Sequence, residues 1–478
     1  MARKTSSSGL TKNISAVSAE TANDQQIDGI LSGVAWDAGG SLLSGSLSFS
    51  FPDNGTDYGK SYGSGEHRKN FGSFTGNEQV AFYDVLANFG SVTTDNPTVA
   101  GIGYISAVTP LNFVEFGEVS GDDTDKDALL RFGKTDMNSA EAWAYYPSAS
   151  PTGGDAWFSN QHMDFSNLKI GSEDYTVLLH ETGHALGLKH SFEKTAYGVV
   201  PIDSLSYTVM SYSSYENGSS WEGGTAFDFP QTLMMDDIAA LQYMYGANWN
   251  ANAGDTTYTW SENNNTLSIK DGPLAVRTFD PEGDKIYQTL WDGNGVDTYN
   301  FANYTTNLVV DLRPGHWVQT DVVNHFQTAD IDGALGDRLA PGNIANALMV
   351  NQDPRSLIEN AIGGDGSDTF IANQAANTFT GDGSAFDASG SVDQDTFLWL
   401  QMTDLLNTSL SNDWDSIRDF EVGVDHIDVS AIDIIDEGHS TYSNGYLKLA
   451  DSADQIVAEI QVTVVGSGGF SQGWFALG

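Results

Sequence analysis

Apolar residues recur in two rhythms along the first half of the chain. Leu47-Ser48-Phe49-Ser50-Phe51 alternates and stops at Pro52-Asp53, the pattern of a strand closed by a turn. Val80, Ala81, Phe82, Val85, Leu86 and Phe89 return every three or four residues, which predicts a helix over 78–89. Strands are predicted at Phe113–Phe116, Ala128–Phe132, Ala142–Tyr146 and Asp155–Phe158. A second helix is predicted around Leu178, Leu179, Thr182, Ala185 and Leu186, with Ser172 as cap and Glu173 and Asp174 in its first turn. A third runs from Met235 to its stop at Gly246. Beyond about Ala247 the helical rhythm nearly vanishes, and Gly, Asp and Asn punctuate short β-prone runs to the end. The expected organisation is a polar leader or propeptide over 1–25, an α+β domain with a twisted sheet over 26–247, and an all-β domain over 248–478.

The second helix carries chemistry. His180-Glu181-Thr182-Gly183-His184-Ala185-Leu186-Gly187-Leu188-Lys189-His190 reads H-E-x-x-H-x-x-G-x-x-H. Histidines four residues apart share a helix face, so both rings can reach one ion. Gly187 lets the chain leave the helix with positive φ and bring His190 back as a third ligand. Three nitrogens with a fourth position open describe a catalytic rather than a structural zinc site. Glu181 lies where a carboxylate can act on a water at that ion. Ser206-Tyr207-Thr208-Val209-Met210-Ser211-Tyr212 follows. It resembles the Met-turn of metzincin endopeptidases, with Met210 as an apolar floor beneath the imidazoles.

The chain has 478 residues, with 20 Lys+Arg against 64 Asp+Glu and a formal net charge of −44. That field disfavours nucleic acid and anionic membrane surfaces as partners, and it suits carboxylate binding of calcium. There are no cysteines, which excludes disulfides and zinc–thiolate sites. Met1 to Gly9 has two basic residues but no apolar run after them, so it does not read as a secretory signal peptide. No stretch is long and apolar enough to span a membrane. His67, His162, His316, His325, His426 and His439 show no ligand spacing and are expected to be ordinary surface or loop residues.

The second half contains loops of calcium-binding type. Gly363-Gly364-Asp365-Gly366-Ser367-Asp368-Thr369-Phe370-Ile371 fits the nonapeptide G-G-x-G-x-D-x-U-x of the parallel β-roll. Gly381-Asp382-Gly383-Ser384 opens another, its carboxylate displaced to Asp387 or Asp395. Trp291–Tyr299 follows the same grammar. One clean copy predicts a roll of few turns.

Together the zinc motif, the Met-turn with Tyr212 and the β-roll loops resemble the serralysin family, bacterial metzincin zinc endopeptidases with a C-terminal calcium-binding roll. Supporting pieces are Asp236-Asp237-Ile238-Ala239-Ala240, Ile358–Gly364, Asp413–Phe420 and Gly423–Ser430. The resemblance implies zinc on His180, His184 and His190, Glu181 as general base, and Tyr212 as a switchable zinc ligand and oxyanion donor. It implies calcium at the domain junction on Asn252, Gly254, Thr256, Asp292, Asn294 and Asp297, with a neighbouring ion on Gly295, Asp297 and Glu359. In the roll it pairs Gly364, Gly366 and Asp368 with Gly381, Gly383 and either Asp387 or Asp395. Asn373, Ala375 and Asn377 would form the next half-site. It also makes the Asp155–Phe158 strand the sheet edge that takes substrate as an added antiparallel strand.

The expected function is therefore a secreted, extracellular zinc endopeptidase acting on protein and peptide substrates. It would be monomeric, exported by a type I secretion apparatus, and a target for a proteinaceous inhibitor. The ending at Trp474-Phe475-Ala476-Leu477-Gly478 lacks the acidic-then-apolar close usual for that export. The alternative is a calcium-dependent binding or adhesive protein with an inactive peptidase fold.

Overall fold

The computed structural model describes residues 12–17, 24–37, 46–86, 104–117, 125–218, 220–333, 338–383, 393–405, 414–435, 439–465 and 475–476. It divides into two units. The first comprises Met1–Asn248 together with Tyr287–Trp291 and Asp330–Ala340; the second comprises Trp249–Ile286, Asp292–Ala329 and Pro341–Gly478.

In the first unit, β1 (Ile14–Ala16) pairs antiparallel with β2 (Val34–Trp36). Residues 14–16 fall inside the stretch expected to be a leader, and here they form a strand. A five-stranded sheet is built from β3 (Ser46–Ser50), β4 (Asn112–Glu115), β5 (Leu130–Thr135), β6 (Ala142–Ala144) and β7 (Ala156–Ser159). Its order is β4-β3-β5-β7-β6, parallel except for the antiparallel β6. The Asp155–Phe158 segment is therefore an interior strand, hydrogen-bonded on both sides, and the expectation of a substrate-binding edge there is corrected: the edge is β6. Asp155 is fully buried, gripped by Arg131 Nε and Nη2 at 2.9 and 2.6 Å and by the Tyr62 hydroxyl at 2.6 Å. A strand buried on both faces and paired on both edges has nothing left to offer a peptide.

The helices of this unit are α1 (Gln25–Asp28), α2 (Gly76–Leu86), α3 (Ile105–Val108), α4 (Glu173–Leu186) and α5 (Met235–Tyr245). The apolar face of α2 meets the sheet through Phe82, whose ring lies 4.6 Å from that of Phe132 and 5.4 Å from that of Phe158. Every residue of α4 from Tyr175 to Leu186 is buried. His67 is also buried, its ring stacked on Tyr58, which corrects its reading as a surface residue.

The second unit contains two parallel sheets between which successive strands alternate. Thr298–Asn300, Asn360–Ile362 and Thr378–Thr380 pair in one; Val309–Asp311, Thr369–Ile371, Thr396–Leu398 and His426–Asp428 pair in the other. Each is three residues long, and its middle side chain (Tyr299, Val310, Ala361, Phe370, Phe379, Phe397 or Ile427) is fully buried. Phe370 and Phe397 stack with centroids 5.4 Å apart. This is a parallel β-roll with one inward side chain per strand. Antiparallel strands at Thr256–Trp260 and Leu267–Asp271 precede it, and Tyr446–Ala450 and Ile456–Val465 lie at its other end.

Candidate metal centre

Helix α4 begins where Ser172 Oγ accepts the Tyr175 amide and ends at Gly187 with φ 112°. A Cβ at Gly187 would fall 2.3 Å from the Val34 carbonyl oxygen, so both backbone angle and space demand glycine. This exit returns the chain to His190. His180, His184 and His190 then bring one ligand atom each within 4.8 Å of one another, the one such His/Cys/Asp/Glu group among the described residues.

The tautomers follow from the outer hydrogen bonds. His180 Nδ1 donates to the Val209 carbonyl at 2.7 Å and His184 Nδ1 to the Leu188 carbonyl at 2.8 Å. His190 Nδ1 donates to Glu193 Oε1 at 2.7 Å. A carbonyl can only accept, so for His180 and His184 the proton sits on Nδ1; the Glu193 carboxylate fixes the same tautomer on His190. All three Nε2 atoms then carry lone pairs. His184 and His190 hold theirs 3.1 Å apart, and His180 Nε2 is buried with no hydrogen-bond partner. Burial and the neighbouring imidazoles push His180 down to about 3 and His184 well below its usual range, so both stay neutral. Converging lone pairs in a buried pocket fit a soft-to-borderline divalent cation such as zinc.

Met210, one residue after the Val209 carbonyl that His180 bonds, is fully buried. Asp237 on α5 holds its turn in place: its carboxylate accepts from Thr208 Oγ1 at 2.5 Å and from the amides of Val209 and Met234 at 2.8 and 3.0 Å. Glu181 is 5% exposed, its Oε2 has no partner, and burial pushes its carboxyl up to about 8. Tyr212 is 50% exposed with its ring 4.5 Å from that of His190; burial, then Glu181 and Glu193, push its phenol up to about 12. A cavity of about 400 Å³ opens beside these residues, walled by Ser139–Ala142, Glu173, Val177 and Trp221. Sequence reading missed Glu193, Asp237 and Trp221. Glu193 lies three residues from His190, which is a usable signal; Asp237 stood out only as part of a matching segment and Trp221 not at all.

The expected calcium residues all lie in the second unit. Asp292, Asp297 and Glu359 are drawn together: the Asp297 amide donates to Glu359 Oε2 at 2.6 Å, and Asp297 Oδ2 is buried without a partner. A Cβ at Gly295 would lie 2.3 Å from the Gly254 carbonyl oxygen and 2.6 Å from Asp297 Oδ1. Thr256 donates its amide to that same Oδ1 at 2.7 Å, and Asn294 donates its amide to Asp292 Oδ1 at 2.9 Å. Burial and Asp292 push Asp297 up to about 11; burial pushes Glu359 up to about 7. Asn252 is engaged elsewhere, its Oδ1 accepting from Arg277 at 2.7 Å and its Nδ2 donating to Tyr258 at 2.9 Å.

In the roll, Asp368 accepts the Gly364 amide at 2.9 Å and donates its own amide to Asp395 at 2.9 Å. Asp395 reaches Gly381, where a Cβ would collide with its Oδ2. Gly366 and Gly383 line the same loops against the carbonyls of Thr306 and Ala302. Asp387 lies outside the described residues. Asn373, Ala375 and Asn377 carry no charge, and they close their turn on themselves. Asn373 Oδ1 accepts from the Ala375 amide and from Asn377 Nδ2, both at 2.9 Å, while Asn373 Nδ2 donates to Leu312 and Ile358 carbonyls.

Two family models match the chain: Matrixin over residues 88–206 and Peptidase M10 serralysin C terminal over residues 341–461. A serralysin of Photorhabdus sp. (strain Az29) is 30% identical over 380 residues, 74% of this chain and 69% of that protein. The serralysin of Photorhabdus luminescens is 32% identical over 357 residues, 69% of this chain. The chain spans 64% of the length of that relative. A metallopeptidase AprA of Pseudomonas marginalis is 31% identical over 265 residues, 52% of this chain and 49% of that protein. With a matrixin segment, a serralysin C-terminal segment and a relative matched over most of both chains, this chain belongs to the serralysin family.

Proposed function

We propose that the chain is a zinc endopeptidase that hydrolyses peptide bonds in proteins. The observation that supports it most is the convergence of three Nε2 lone pairs on one buried point, with the unpartnered Glu181 carboxylate beside it. His180, His184 and His190 would hold zinc, which when bound supplies Lewis acidity and lowers the pKa of water. The substrate would add as an antiparallel strand to the open edge of β6. Glu181, raised by burial into the range of a working base, takes a proton from the attacking water and delivers it to the leaving nitrogen. The Tyr212 phenol, whose raised pKa keeps it protonated, donates to the oxyanion; in the resting site it could also face the metal.

Calcium is proposed at two places in the second unit, on Asp292, Asp297 and Glu359 with the Gly254 and Gly295 backbone, and between Asp368 and Asp395. Buried carboxylates this close need a cation. The amide-closed turn at Asn373–Asn377 needs none. Secretion through a type I apparatus, a monomeric state and inhibition by a small protein rest on the family resemblance. No helix among the described residues is long and apolar enough to cross a membrane.

The deciding experiment is Glu181→Gln. The variant should bind zinc and melt like the parent yet lose about 10²–10⁴-fold in casein hydrolysis. Parent-like hydrolysis by a contaminant-free variant would remove Glu181 from the reaction.

A further inference from the structure

The cavity beside the histidine trio adjoins a second of about 480 Å³; Glu173 and Trp221 wall both. Their combined lining has two characters. Val177 and the Trp221 indole offer apolar walls, while Glu141, Glu173, Asp174, Glu222 and Asp332 supply carboxylates, and among the described residues neither cavity is lined by Lys or Arg. A chain with 64 acidic and 20 basic residues has acidic surface everywhere, so acidity alone would mean little. Asp332 makes the difference. It is 6% exposed, it lines the second cavity, and its Oδ1 is buried with no hydrogen-bond partner. A buried anionic oxygen without a donor costs free energy until a cation or donor reaches it.

A long basic side chain has the matching form: an aliphatic stem for the apolar wall and a cationic head for the carboxylate. The direction of the peptide fixes which residue supplies it. The cavity near the trio is walled by Ser139–Ala142, the approach to β6 and its first residue. A peptide running antiparallel to β6 places its later residues beside the start of that strand. We propose that this cleft selects lysine or arginine at the position immediately after the cleaved bond, with the side chain passing Glu173 at the rim and its head directed towards Asp332. Glu173 is itself raised by burial and by Glu141 and Asp174, a crowding that an incoming cation relieves. This specificity rests on the peptidase reading above.

Two measurements on the zinc-loaded full chain separate the specificity from the activity. Matched peptides differing only in lysine or norleucine after the scissile bond should differ by about 10-fold or more in kcat/KM. Asp332→Asn and the exposed Glu173→Gln should each shrink that ratio several-fold, and Glu173→Gln keeps the test available if the buried variant folds poorly. In parallel, product peptides beginning with lysine or norleucine are titrated onto the protein by calorimetry, where tighter binding of the lysine peptide is expected even if turnover is absent. Equal kcat/KM for the two substrates, equal binding of the two products, or a basic preference before the bond would overturn the proposal. Lysine-selective binding with no cleavage of any peptide would uphold the pocket and sink the peptidase reading instead.

Discussion

The sulfur of Met210 occupies the space that a side chain at Gly183 would need: a Cβ there would sit 2.7 Å from Sδ. Gly183 lies one residue before His184, so the helix that carries His180 and His184 rests directly on the turn at Met210. Gly183→Ala gains helix propensity, about 1 kcal/mol, but drives Met210 into a closed core at a cost of about 1–3 kcal/mol. A net loss of about 1 kcal/mol in urea unfolding is expected, with weaker zinc binding. Unchanged zinc affinity together with unchanged stability would show that Met210 moves freely.

Glu193 is the one side chain among the Nδ1 partners of the trio; the other two partners are backbone carbonyls. It is therefore the outer contact that mutation can remove. Glu193→Ala should weaken zinc about 10-fold or more in competition with a chromophoric chelator, with little change in folding. Parent-like affinity would assign the ring's orientation to packing against Phe192, whose ring stacks on His190 at 5.0 Å.

Asp237 holds the 208–210 turn with three accepted hydrogen bonds while fully buried. Asp237→Ala strands the Val209 and Met234 amides and the Thr208 hydroxyl. A loss of about 2–4 kcal/mol is expected, read as a lower denaturation midpoint. A midpoint within experimental scatter of the parent would mean that the turn is held by its packing alone.

The proposed calcium sites make the stability of the second unit depend on pH. Asp297 is pushed up to about 11 and Asp395 to about 9, each chiefly by burial, against an unfolded value of about 3.9. The calcium-free native state therefore binds protons that the unfolded chain has lost. Its stability should fall as pH rises from about 4, through about 9 for Asp395 and on to about 11 for Asp297. Calcium requires the ionised carboxylates, so its binding at pH 7 should release protons and flatten that fall. Thermal melts at pH 5 and 8, with calcium and with chelator, test this. A chelated protein that melts no lower at pH 8 than at pH 5 would contradict it.

The histidine trio was legible because its geometry is local. Four residues make a helical turn, and Gly187 marks the exit that returns His190. The β-roll was legible for the same reason, since its repeat writes a loop and a strand into each nonapeptide. Sheet order was not. Asp155–Phe158 has the composition of a strand, but nothing in that composition says whether Ala142–Ala144 adds beside it and takes the edge. Long-range partners were hidden likewise: Asp237 reads as an acidic first-turn residue of α5, and only folding brings it under Val209. Spacing after Gly381 left Asp387 and Asp395 both open, and only the fold brings the Asp395 carboxylate beside Gly381. The return of Tyr287–Trp291 and Asp330–Ala340 to the first unit left no local mark.

The alternating three-residue strands have a bearing on how such chains can vary. Each lap of the winding pairs with the lap before and the lap after through a short backbone ladder and one inward side chain per strand. A whole lap can be gained or lost and its neighbours simply close up. The histidine trio permits no such editing, since one residue added between Gly187 and His190 would turn a ring away. Length in this protein is elastic at one end of the chain and rigid at the other.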